Sequence, residues 1–349
     1  MTVTVRVGVL NDMADLGEAG DVTEWLEREV EALRANGRIQ AQVEFVHAYG
    51  LGLPSGTAEA IEQAYQDLAK QDVLLIVGPA IGDNAMIATP LAERMRVPTI
   101  NWSGAERARG KYMFQLQVGS HEDEALVIVR YLAASGTKRL GVVYDVSPLG
   151  TRHLKYLEDE AAILGVELVA REGISPLATA ADDQVAAVLE AEPDCIVYLG
   201  LGVSAPVVAD AVTAANWSGS RMMNTAGHGI SHADFAKRCE GWAYIDMHSD
   251  TNRTLQMLRK ERHVAPDDML AAARGHDLGR LVAEGLSRAH GLTREGIRNG
   301  LEQVKWLPAA EGEEGTLLGF GVQDRGALHG RFLVVRQWRG GKSVEVAQH

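Results

Sequence analysis

Only two cysteines, Cys195 and Cys239, stand in 349 residues, so no disulfide framework holds this chain together. Cys195 falls in an apolar run at 194–199, where a buried free thiol is the simpler reading. Pairing with Cys239 stays open. Basic residues are a minority, 34 Lys and Arg against 47 Asp and Glu for a formal charge of −13, and they are dispersed among acids. Phosphate-backbone binding needs clustered Lys and Arg, so nucleic acid is excluded as a partner, and an anionic membrane surface is disfavoured likewise. No apolar run approaches the roughly 18–20 residues of a membrane-spanning helix, which excludes direct insertion. The N-terminus also lacks the basic, apolar, small-residue order of a signal peptide, and Met1 leads almost directly into a strand pattern at 3–10. Two compartments remain: the cytoplasm, or the periplasm or cell surface for the mature part of an exported protein whose leader has been trimmed.

Strong catalytic signatures are missing too. There is no Walker loop and no Gly-x-Ser-x-Gly elbow, so neither an NTPase nor a hydrolase triad has an anchor. Gly200-Leu-Gly-Val-Ser-Ala205 follows a strand pattern and opens a helix, as a dinucleotide fingerprint does. The next strand, however, ends at Met222-Met-Asn-Thr225 with no acid for a ribose hydroxyl. A tight strand-to-helix turn explains those glycines, and no cofactor is expected. His228 and His232 stand four apart near Asp234, a spacing that would suit a metal on a helix, but Gly227 and Gly229 flank the first histidine and make a loop. No metal site is expected. The chain is read as a binder rather than an enzyme.

What is present is an ordinary globular composition, 46% hydrophobic and 23% charged, in a chain long enough for two domains with a core each. Strand and helix patterns alternate: strands at 3–10, 42–47, 73–77 and 97–101, with a helix from Asp21 to the Asn36-Gly37 stop and another capped by Thr57. The alternation begins anew after a helix at 121–135, with strands at 139–144, 167–174, 195–199, 221–225 and 242–247. Helices are expected at 151–164, 182–190 and 204–215, and later at 251–263, 276–290 and 293–304. A hairpin around Gly340-Gly341 closes the chain. This is the doubly wound α/β pattern, twice.

The stretch 73–103 carries the first site candidate. A buried-type strand stops at Gly78-Pro79, a Gly/Asp/Asn loop follows, and a helix leads to the next strand. Open α/β sheets bind ligands at the carboxyl edge of their strands, and the first backbone N–H groups of a helix suit an anion or polar head. Gly82, Asp83 and Asn84 lie there. Asp83 and Asn84 have a plainer role as helix caps, Trp102 as a loop anchor and His276 as a cap of its helix. Asp12 and Met13, after the first strand, face the same edge or simply close a turn.

Several phrases in order resemble the branched-chain amino-acid (Leu/Ile/Val) solute-binding family of ABC transporters, which has the type I periplasmic-binding-protein fold. They are Val73 to Pro79 with its helix, Val97-Pro-Thr-Ile-Asn-Trp-Ser-Gly104, Met113-Phe-Gln-Leu116, Arg139-Leu-Gly-Val-Val-Tyr-Asp145 before Leu149-Gly150, and His276-Asp-Leu-Gly-Arg-Leu-Val-Ala-Glu-Gly285. The resemblance implies two doubly wound lobes joined by a hinge, lobe 1 from 1–119 plus 250–325 and lobe 2 from 120–249 plus 326–349, with the ligand cleft between them. It implies a small-molecule ligand and an ABC permease as partner, or a regulatory protein if the chain is a cytoplasmic sensor of the same fold. The implied ligand residues are Gly82, Asp83, Asn84, Asn101, Trp102, Ser103 and Ala105 in lobe 1, Leu149, Val203, Ala226 and His228 in lobe 2, and His276. Where the family's amino-acid binders place an acid against the ligand ammonium, this chain has Ala226, and a buried ammonium without a carboxylate costs several kcal/mol. The expected ligand therefore has an apolar or aromatic body with a carboxylate or polar head and is not an α-amino acid. Branched-chain amino-acid binding stays as the alternative.

Overall fold

The computed structural model describes residues 3–13, 21–229, 234–265 and 268–346. The chain forms two compact units, Met1–Val118 with Met247–Phe332, and Gly119–Asp246 with Leu333–His349.

The first unit opens with β1 (Thr4–Asn11), α1 (Asp21–Ala35), β2 (Gln42–Tyr49), α2 (Ala58–Ala69), β3 (Leu75–Val77), α3 (Gly82–Met95), β4 (Thr99–Asn101) and β5 (Met113–Gln115). These strands make a parallel sheet in the order β2-β1-β3-β4-β5. β3, β4 and β5 are short and wholly buried; β3 is a continuous apolar run, as a strand covered on both faces can be, while β4 and β5 end in the buried amides Asn101 and Gln115. Thr57 Oγ1 accepts the Ala60 N–H and starts α2. The core is assembled from Val5, Val7, Leu75, Val77, Ile100 and Phe114 of the sheet against Leu26 and Val30 of α1.

The second unit runs α4 (His121–Ala134), β6 (Arg139–Asp145), α5 (Pro148–Leu164), β7 (Glu167–Ile174), α6 (Asp182–Glu190), β8 (Cys195–Leu199), α7 (Ala205–Ala214), β9 (Ser220–Met223), a 3₁₀ turn (Thr225–His228), α8 (Phe235–Arg238) and β10 (Ala243–Asp246). The chain returns to the first unit with α9 (Arg253–Arg262), α10 (Met269–Ser287), α11 (Arg294–Glu302) and a small antiparallel sheet of β11 (Leu307–Pro308), β12 (Leu317–Leu318) and β13 (Leu328–His329). It ends in the second unit with the hairpin β14 (Val334–Arg339) and β15 (Lys342–Glu345). β7-β6-β8-β9-β10 repeat the strand order of the first sheet, and β14 adds antiparallel to β10. Gly340 and Gly341 turn that hairpin at φ +58° and +72°, the pair of positive values a two-residue turn requires.

Two helix starts differ from the sequence reading in ways that move candidate site residues. α5 begins at Pro148, because Ser147 Oγ caps it by accepting the Gly150 N–H, so Leu149 and Gly150 are helical rather than in a preceding loop. α10 begins at Met269, which puts His276 mid-helix and excludes it as a cap. Cys195 and Cys239 are both free and buried, and burial raises both thiol pKa values, that of Cys239 to about 12. Neither reacts readily as a thiolate.

Candidate functional site

Each unit has a switch point where the strand order reverses direction, between β1 and β3 in the first and β6 and β8 in the second. That is where open α/β sheets bind ligands. Each holds a buried aspartate. In the first unit Asp12, 3% exposed, accepts the backbone N–H of Ala80 (2.8 Å) and Ile81 (3.0 Å) and the Asn84 side-chain amide (2.9 Å). Burial pushes its pKa up against the pull of those bonds. Asn84 in turn accepts the Leu53 N–H at 2.9 Å. Asp12 thus holds the N–H groups of Ala80 and Ile81, just ahead of the Gly82–Asn84 turn where the sequence reading places an anion or polar ligand head. Asn84 is spent as a clamp, and the cap position of α3 is Ile81, with no side-chain bond.

The neighbouring loop is built by amides. Asn101 Oδ1 accepts from Ser103 N and Oγ (3.2 and 2.9 Å), while its Nδ2 donates to the carbonyls of Ala108 and Phe114. Gln115 Nε2 donates to the carbonyls of Ser103 and Ala105. Trp102 N donates to Pro79 O at 3.1 Å, tying this loop to the one after β3. Gly82, Asp83, Asn84, Asn101, Trp102, Ser103 and Ala105 therefore share one sheet edge. A cavity of about 60 Å³ lies within this unit, lined mainly by apolar side chains with Asp12 and Trp102 among them. It has room for a few carbon atoms.

The cations around Trp102 are matched by acids. The Arg274 guanidinium sits 5.6 Å from the Trp102 ring centroid and 3.2 Å from Glu311, both charges being buried. His276, two residues on, points elsewhere: its Nδ1 lies 3.2 Å from Glu29 of α1, which Arg262 also approaches. Asp277 is fully buried, accepts the N–H groups of Ala310 and Glu311, and has its pKa raised to about 6 by burial.

At the second switch point Asp145 accepts the Leu201 N–H (2.9 Å) and the hydroxyls of Ser204 (2.6 Å) and Tyr198 (2.9 Å); burial raises its pKa too. It explains the Gly200-to-Ala205 stretch: Gly202, at φ +105°, makes the turn, and the carboxylate fills the place a phosphate would take. Gly202 also brings the Val203 loop against Ala226, since a Cβ there would lie 3.0 Å from the Ala226 carbonyl. Ala226, 7% exposed, is positioned by Asn224, whose side chain pairs with both backbone groups of Gly200.

Beside Ala226 stands a polar group the sequence reading missed. Glu124 of α4 accepts the Thr225 N–H (2.8 Å) and hydroxyl, and His153 Nε2 lies 3.6 Å away. The rings of His121 and His153 lie 4.3 Å apart at a tilt of 49°, and burial, then the neighbouring His153 and Arg152, hold the His121 pKa well below the usual value. His228 lies across the 3₁₀ turn, 3.6 Å from Asp246; His232 falls outside the described residues. The signal for the two aspartates was present, an acid at the end of the first strand of each sheet.

A family model for a periplasmic binding protein matches residues 4–337. The chain belongs to that family. Solved structures agree on the fold. A type 1 periplasmic binding protein from Bordetella pertussis Tohama I aligns at a TM-score of 0.81 and 17% identity over 98% of this chain and 99% of that one. A leucine binding protein from Thermotoga maritima aligns at 0.81 and 15% over 98% of both chains. An ABC transporter substrate-binding protein from Desulfitobacterium hafniense in complex with Leu aligns at 0.80 and 17% over 98% and 100%. Curated protein sequences give no match. The family and the two-lobe type I fold are those of solute-binding proteins. Among the described residues no helix is long and apolar enough to cross a membrane.

Proposed function

We propose that the chain is the solute-binding component of an ABC-type uptake system, acting outside the cytoplasm and closing its two lobes about a hinge onto a small organic ligand. The ligand has an apolar or aromatic body and an uncharged polar head, and it is not an α-amino acid. The family membership and the substrate-binding relatives support the transport role. One observation carries the ligand reading: the carboxylate of Asp12 occupies the N–H groups before α3 and lines the same apolar cavity as Trp102. A ligand carboxylate placed on that loop would meet a like charge, and at roughly 4 Å that repulsion is worth about 1–4 kcal/mol. Ala226 offers nothing to an ammonium, and Glu124 beside it is already bonded to Thr225. Of the sequence candidates, Trp102, Ser103 and Ala105 in the first unit and Leu149, Val203 and Ala226 in the second are retained as ligand contacts. Asn84 and Asn101 act by holding their loops.

A thermal-shift screen of the purified protein tests this, because a ligand that binds only the folded form raises the midpoint with the logarithm of its concentration. Shifts are expected with aromatic or branched alcohols and amides. A shift with leucine or valine and with none of these would replace the reading by branched-chain amino-acid binding.

A further inference from the structure

The second unit carries a larger cavity at the opposite edge of its sheet, where β9 and β10 begin and α4 ends. It measures about 380 Å³, room for about a dozen waters, and its lining includes Tyr131, Ser135, Ser218, Ser220, Arg221 and Gln337 with no acid. In a chain of net charge −13 an acid-free polar cavity around a guanidinium is out of keeping with the rest of the surface. Among the described residues Arg221 has one hydrogen bond, from Nη2 to the Trp217 carbonyl, and burial lowers its pKa with no carboxylate among them offsetting that effect. Two acids beside this edge are used by backbone: Asp194, whose carbonyl accepts the Ser220 N–H, takes the N–H groups of Lys138 and Arg139 on its side chain, and Glu240, next to Gly241, takes those of Gly340 and Gly341; Asp210, nearer along the chain, pairs with Arg238. Arg339 adds positive potential at Tyr131. The turn that presents Arg221 is fixed, since a Cβ on Gly219 would fall 2.1 Å from the Trp217 ring. The carbonyls closing α4 are capped by the N–H groups of Ser135, Gly136 and Thr137, which blunts the negative end of that helix.

We propose that this cavity is a second ligand site, separate from both switch points, that takes a small hydroxylated organic anion, a sugar acid or a polyol phosphate, on the Arg221 guanidinium. The serine and tyrosine hydroxyls meet the ligand's own hydroxyls, and the free N–H donors of the planar fork suit a carboxylate or phosphate bidentately.

Calorimetry on the full chain with gluconate, glycerol 3-phosphate, inorganic phosphate and neutral glucitol tests it. Saturable binding of gluconate or glycerol 3-phosphate is expected, with inorganic phosphate weaker and glucitol silent; which of the two organic anions binds tells carboxylate from phosphate. R221Q should weaken binding by on the order of tenfold or more, and R221K, which keeps the charge without the fork, by less. Hydrogen exchange on the unaltered protein, which needs no variant to fold, should slow at 131–136 and 217–221 when the anion is added. Absence of binding by all four probes, equal binding by glucitol, undiminished binding by R221Q, or protection elsewhere would overturn the proposal.

Discussion

The two switch points solve one problem with different partners. The parallel strands of both sheets run in the same order, and a buried aspartate, Asp12 just after β1 and Asp145 at the end of β6, ties down the loop after the adjacent strand. Asp12 holds two backbone N–H groups and an amide, whereas Asp145 holds one N–H and two hydroxyls. Hydroxyls rotate to new partners and backbone N–H groups do not, so the first aspartate is the more costly to lose. A loop with backbone N–H groups poised for an anion can thus be satisfied by the chain's own carboxylate.

The sharpest break of the comparison is Asp12→Ala against Asp145→Ala. With roughly 1–3 kcal/mol for each buried donor left unpaired, Asp12→Ala should lower stability by about 4 kcal/mol and Asp145→Ala by about 2, read from denaturant unfolding curves. Equal losses would mean the hydroxyls at Asp145 find no other partners.

The second contrast is in pH. Asp277 in the first unit has a folded pKa near 6 against an unfolded 3.8; the folded state holds the extra proton between those values, so its contribution, about 3 kcal/mol, is present below pH 4 and lost as pH rises to 6. His121 in the second unit has a depressed folded pKa. Its contribution is full above about pH 6.5 and lost as pH falls. Hydrogen exchange followed unit by unit should show Asp277→Asn flattening the first unit's profile between pH 4 and 6, and His121→Asn removing the second unit's decline on the acid side of pH 6.5. A shared profile for both units, unchanged by either variant, would contradict these opposite signs.

The smallest effect expected is Ser204→Ala. It removes one hydroxyl from Asp145 while Leu201 and Tyr198 remain, and should cost about 1 kcal/mol by the same unfolding measurement. A loss as large as that of Asp145→Ala would make Ser204 the main tie of its loop.

Much of this architecture was legible because the β3 and β8 runs are apolar, as strands buried on both faces can be, and because Thr57 marks the start of α2 and Gly340-Gly341 the closing hairpin by local chemistry. The start of α10 was not, since Met269 to Gly275 lacks a side-chain cap. The topology of a βαβ step placed the start of α3 at Gly82–Asn84 on the carboxyl edge of the sheet, and the family resemblance added Trp102 and Ser103. Asp12 was placed at that edge by its position after β1, but its partners were not, because it reaches Ala80 across 68 residues; the tie between Glu124 and Thr225 in the second unit spans 101, and periodicity and capping report only neighbours along the chain.

On the proposed reading, the Asp12 carboxylate on the Ala80 and Ile81 N–H groups leaves an uncharged polar head for the ligand. Once the thermal-shift screen has selected a body, calorimetric titration of that body carrying an amide, a carboxylate or an α-amino acid head tests it most directly. The amide should bind on the order of tenfold or more tightly than either other form. Tightest binding by the amino acid would contradict the account and return the chain to the leucine-binding pattern of its structural relatives.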